Sequence, residues 1–256
     1  MKKNLQRNLF GTLLLAFFLL TSCHSAYNVT KTEGKMVSID STWDAKPVGE
    51  AIAMITPYKA KIDSVMYRVV GTAEMTMDRG LPESLLSNLV ADLLKQSATQ
   101  VLGKPADMGL VNVGGLRNVL TKGPITTGNL FEILPFENSL CVLTISGANL
   151  KHLFENIAAQ HGQGVSGVRL VITKSGKLAE CTVGGQPLDE QKLYTVATID
   201  YVADGNDGMP ALLQAEKRVC PQGATLRNIF MNYVESQTAA DKKITSSLDG
   251  RITVQN

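Results

Sequence analysis

Residues 112–117 (NVGGLR) follow an apolar, strand-like run at 110–113 (LVNV). Gly114 and Gly115 permit a ligand or a second backbone to come close, and Arg117 is carried just past the strand end, where ligands settle in α/β sheets. Three further stretches have the same turn-rich, polar character. They are 123–130 (GPITTGNL), 134–138 (LPFEN) and 200–209 (DYVADGNDGM), the last following a second strand-like run at 194–199. This is binding chemistry. Taken singly, each residue also has a plainer role: Phe136 and Tyr201 could pack in a core, Asp207 could only form a turn, and Arg79 in TMDRGLPE could be a surface charge.

Reacting groups are scarce. The histidines are His24, His152 and His161, and the last two are nine apart, too far for an i, i+4 zinc pair on a helix. No D-x-H, G-N-H-D/E or G-H-x-H occurs, so these residues encode no two-metal phosphoesterase centre. There is no G-x-S-x-G elbow and no G-x-x-x-x-G-K-[ST] loop. Residues 162–167 (GQGVSG) fit G-x-G-x-x-G, but a dinucleotide fingerprint follows a strand and opens a helix. Here the glycines follow a helical pattern and precede a strand, which reads as a connecting turn.

The order N-x-G-G-L-R, G-P-I-T, P-F-E-N and Y-x-x-x-G-N-D-G resembles the C-terminal domain of the 5′-nucleotidase family over about residues 37–254, weakly before Met75. Arg117 and Phe136 are nineteen apart, and Tyr201 and Asp207 six apart, as in that family. The resemblance implies that Phe136 and Tyr201 clamp a nucleobase, Asn138 meets its edge, Asp207 accepts from ribose hydroxyls, and Arg117 reaches the phosphate, with Arg79 a further phosphate candidate. Two departures stand out: Glu137, which would add an acid near the base, and Asn206, which would alter the turn. In the family, catalysis belongs to an N-terminal metallophosphoesterase domain with two divalent metals. The resemblance therefore implies a nucleotide-binding half that holds no cofactor, works with a separately encoded metallophosphoesterase chain and helps hydrolyse nucleoside 5′-phosphates. A stand-alone nucleotide- or nucleoside-binding protein and a scaffold with no ligand are the other readings.

The elements that must position these residues read as a mixed α/β (α+β) fold, a single domain with one mixed β-sheet packed by helices. Residues 81–96 make the clearest helix, with Leu85, Leu86, Leu89, Val90, Leu93 and Leu94 on one face. Ser146 caps a second helix that runs to about Gln160, and a third spans 225–236. Strands are expected at 110–113, 140–145, 168–173, 194–199 and 251–254. Residues 47–62 have helical character, but Pro57 argues for a break.

The N-terminus reads as an address. Lys2, Lys3 and Arg7 precede an apolar run at 9–20, followed by Leu20-Thr21-Ser22-Cys23, which resembles a bacterial lipobox. Expected are a signal peptide at 1–22, acylation of Cys23, a tether at 23–36, a domain at 37–256, and a place on the bacterial cell envelope, facing the periplasm or outside. Past Cys23 no apolar run approaches the length of a membrane-spanning helix. Removing the leader takes the formal charge from +2 to −1, so there is no broad basic face for a nucleic-acid polymer. Of the remaining cysteines, Cys141 reads as core, while Cys181 and Cys220 are candidates for a disulfide.

Overall fold

The computed structural model describes residues 28–45 and 47–255. The expected signal peptide, Cys23 and the start of the tether lie outside the described residues. The described residues divide into two units, one ending at Ile52 and the other starting at Ala53. In the first, a single helical turn, Ser41–Trp43, is capped by Asp40, and Trp43 Nε1 donates to Ser38 O at 2.6 Å. Helix α1 (Gly49–Met66) begins there and continues into the second unit. It runs through Pro57 instead of breaking. None of its described residues is buried, so water can satisfy the carbonyl that loses its donor to proline. No helix among the described residues is long and apolar enough to cross a membrane.

The leucine-rich stretch forms α2 (Leu85–Ser97), starting later than the apolar spacing predicts because Ser84 caps it, its Oγ accepting from Ser87 N at 3.3 Å. Leu86, Leu89, Val90, Leu93 and Leu94 are all buried. Three further helices are α3 (Thr127–Ile133), α4 (Gly147–Ala159) and α5 (Leu226–Ala239). Thr126, Ser146 and Thr225 cap them, each accepting from the amide three residues on.

The strands are β1 (Val69–Ala73), β2 (Met108–Val111), β3 (Gly123–Thr126), β4 (Leu140–Ser146), β5 (Gly164–Ser166), β6 (Val168–Thr173), β7 (Leu178–Val183), β8 (Gln186–Pro187), β9 (Leu193–Ile199), β10 (Lys217–Val219) and β11 (Ile252–Gln255). They make two mixed sheets, ordered β10-β4-β9-β2-β5 and β11-β6-β7-β8, and an antiparallel pair, β1-β3. The single sheet expected from the pattern is therefore divided. The division falls at Gly167, which separates β5 from β6 with φ +79°, and an added Cβ there would lie 2.2 Å from Asp107 O. Only glycine lets the chain turn from one sheet to the next at this spot.

Register in the five-stranded sheet decides where the polar loops go. β2 and β9 are parallel, with Met108 opposite Val196, so Asn112 and Asp200 leave the sheet at the same end. β4 is antiparallel to β9, with Leu140 opposite Ile199, so the loop that enters β4 lies there too. β5 is antiparallel to β2, with Gly164 opposite Val111, which brings the segment after α4 to the same end. Beneath them α2 lies directly on β2: a Cβ on Gly109 would be 2.1 Å from Ala91 O.

The disulfide joins Cys141 to Cys220, not Cys181 to Cys220. Val142 pairs with Val219, so Cys141 and Cys220 are the next pair across β4 and β10. Cys181, on β7, is half-buried and free, and burial pushes its thiol pKa up.

Candidate functional site

At that shared end of the sheet the loops enclose a cleft of about 400 Å³. Asn112, Gly114, Gly115 and Arg117 come from the loop after β2; Phe136 and Asn138 come from the loop before β4; Tyr201 and Asp207 come from the segment after β9. Five of the six sequence-predicted binding residues thus share one opening. Arg79 is exposed and is not among the lining residues.

Phe136 is 50% exposed and Tyr201 42%. Neither ring is core. Leaving two aromatic faces half in water at one cleft costs hydrophobic free energy that a flat ligand would recover.

Asp207 is the hub of the cleft's hydrogen bonds. Its carboxylate accepts from Tyr201 OH at 3.1 Å and from Asn112 Nδ2 at 2.5 Å, and its backbone oxygen accepts from Gln160 Nε2 at 2.6 Å. It sits at φ +49°, a left-handed conformation that aspartate tolerates better than most residues. The hydrogen bond to Asp207, and the negative charge behind it, push the Tyr201 phenol above its ordinary pKa. Asn206, where the resemblance leads one to expect glycine, donates from Nδ2 to Tyr201 O at 2.9 Å and ties the turn together.

The loop after β2 is held from below. Val113 N donates to Gln163 Oε1 at 2.7 Å, and Gln163 Nε2 donates to Gln160 Oε1 at 2.8 Å. One glutamine pair therefore braces both the Asn112 loop and Asp207. Sequence reasoning missed both residues, since a glutamine beside a helix end carries no distinctive signal. Gly115 has a steric reason: a Cβ there would lie 2.8 Å from Asn112 Oδ1. Asn112 is itself buried, and its Oδ1 has no hydrogen-bond partner among the described residues. Arg117 is exposed at the rim and donates from Nη1 to Gly114 O at 3.1 Å.

Glu137 does not turn toward the cleft. Its carboxylate pairs with Arg227 of α5, which corrects the expectation of an acid beside a base. Among the described residues no group of three or more His, Cys, Asp or Glu side chains is arranged to hold a metal ion.

The fold and cleft define a mixed α/β domain with an open cleft lined by two aromatic rings and polar side chains. A family model described as the 5′-nucleotidase C-terminal domain matches residues 69–214, and the chain belongs to that family. It is 28% identical to an apyrase of Aedes aegypti over 255 residues, covering 88% of this chain and 42% of that one. It is 24% identical to the silent protein UshA(0) of Salmonella typhimurium, over 79% of this chain and 37% of that one. Among solved structures, the 5′-nucleotidase precursor from Thermus thermophilus superposes with a TM-score of 0.67 at 29% identity, covering 81% of this chain and 43% of that one. The chain thus spans less than half the length of these relatives.

Proposed function

We propose that this chain is the nucleotide-binding half of a split 5′-nucleotidase. The observation that carries the reading is the pair of half-exposed rings, Phe136 and Tyr201, on separate loops of one cleft that also holds Asp207 and Arg117. The base stacks between the rings with Asn138 at its edge. Stacking contributes about 1–3 kcal/mol per base and tolerates base identity. Asp207 accepts from the ribose hydroxyls, exchanging the Tyr201 phenol for them as partner. Arg117 gives the phosphate a planar, charge-assisted donor. Arg79 has no part in this reading, because it does not line the cleft.

Hydrolysis needs groups these residues do not supply. The two divalent metals and the activated water belong to a separately encoded metallophosphoesterase chain, to which this one presents the nucleotide. The purified chain with AMP and divalent metal should release no phosphate, and affinity purification from the native envelope should bring down a protein with D-x-H and G-N-H-D/E motifs. Phosphate release by the chain alone contradicts the division of labour. Recovery of the chain with no companion favours a stand-alone binding protein.

The proposed setting is the cell envelope, with Cys23 carrying the lipid. A similarity to a cell wall protein of Listeria monocytogenes, 26% identical over 86% of this chain and 32% of that one, agrees with that setting. Lipid-precursor labelling should vanish in Cys23→Ala, and label that persists rules the anchor out.

A further inference from the structure

Phe136 is half in solvent, so packing alone cannot set the direction of its ring. That direction must come from the backbone of residues 134–138. One side chain contacts this segment on both sides of Phe136, through a backbone carbonyl before it and a carboxylate after it. Arg227, near the start of α5, donates from Nη1 to Leu134 O at 2.8 Å and pairs through Nη2 with the Glu137 carboxylate. Its guanidinium carbon lies 4.0 Å from the centre of the Phe131 ring on α3, a stacked cation–π contact. The side chain is only 6% exposed. A buried guanidinium is costly unless its donors are used, and the planar fork fixes the angle between its bonds. Sliding the loop would break both bonds at once and strand the charge. The start of α5 supplies two further anchors, with Leu226 N donating to Asn138 O and Leu140 N to Ala224 O, both at 2.8 Å.

We propose that Arg227 is a positioning residue: by gripping Leu134 and Glu137 it holds Phe136 in the orientation that stacks on a nucleobase. The inference rests on the nucleotide reading above and adds to it a residue outside the cleft. It also gives Glu137 a purpose, as the acid that completes the grip. A purely structural arginine would affect all ligands alike. A positioning one affects only ligands that have a base.

The test compares Arg227→Met, Arg227→Lys and Glu137→Gln with the unaltered chain, using two readouts. The first is amide hydrogen exchange at Leu140 and Leu226, whose N–H groups bond the loop to the start of α5, measured without ligand and so independent of the nucleotide reading. The second is the affinity for AMP against that for ribose 5-phosphate. In Arg227→Met exchange should rise, AMP affinity should fall about tenfold, within the range that stacking supplies, and ribose 5-phosphate affinity should stay within about twofold. Arg227→Lys should recover part of the loss. Glu137→Gln, which leaves the buried side chain in place, should show a smaller change of the same kind. Unchanged exchange, or AMP and ribose 5-phosphate affinities that fall together, overturns the proposal. An unaltered chain that binds no AMP overturns the nucleotide reading, and the exchange result then still decides whether Arg227 holds the loop.

Discussion

Phe136→Ala and Tyr201→Ala should each weaken AMP binding by about 1–3 kcal/mol, roughly 5- to 150-fold. The magnitude follows from what each ring does in the free chain. Both are half-exposed, so truncation removes little packing from the folded state. The unfolding free energy should therefore move by only about 1 kcal/mol, roughly half the value of burying a whole aromatic side chain. Most of the effect should appear in binding. Tyr201→Phe separates the ring from its hydroxyl. It keeps the stacking face but removes the donor that occupies Asp207 in the free cleft. Its affinity for AMP should stay close to that of the unaltered chain. Calorimetric titration of the three variants against AMP measures all of this, and alanine variants that bind as well as the unaltered chain would leave the cleft without a base site.

Breaking the disulfide should be the largest stability effect. The bond closes a loop of 79 residues, for which the chain-entropy model gives about 4.5 kcal/mol at 25 °C. That loop includes α4 and β5 to β9, a large share of both mixed sheets. Cys220→Ala is the cleaner variant, because Cys141 is fully buried and its replacement also disturbs the core. Urea unfolding of Cys220→Ala should show a loss of about 2–5 kcal/mol, and a reducing agent should destabilise the unaltered chain but not the variant. Cys181→Ala is the control, since Cys181 is free and half-buried. A control that loses as much stability as Cys220→Ala, with the same response to reductant, would return the pairing to Cys181.

Local signals made the helices readable in advance. The leucines of α2 recur every three or four residues, and Ser146 marked the start of α4 as its cap. What needed the structure was long-range. The Cys141–Cys220 bond depends on β4 and β10 lying side by side, and nothing near either cysteine announces that pairing. The division into two sheets turns on the contact between Gly167 and Asp107, residues sixty apart in the sequence. Pro57 misled because its rule assumes a helix whose backbone must satisfy itself, and none of the described residues of α1 is buried.

The site divides along the same line. Phe136, Asn138, Tyr201, Asp207 and Arg117 stood in recognisable local motifs, and strand register then delivered them to one cleft. The residues that brace them were invisible in sequence. Gln160 and Gln163 act through side-chain bonds to distant loops, and Arg227 reaches Leu134 across ninety-three residues. Glu137 could be noticed as unusual, but its partner could not be named from the sequence.

A structure of the chain with AMP bound is the most direct measurement. The adenine should lie between Phe136 and Tyr201, with the ribose on Asp207 and the phosphate within hydrogen-bonding distance of Arg117. AMP found elsewhere, or a cleft that stays empty at millimolar AMP, would contradict the account.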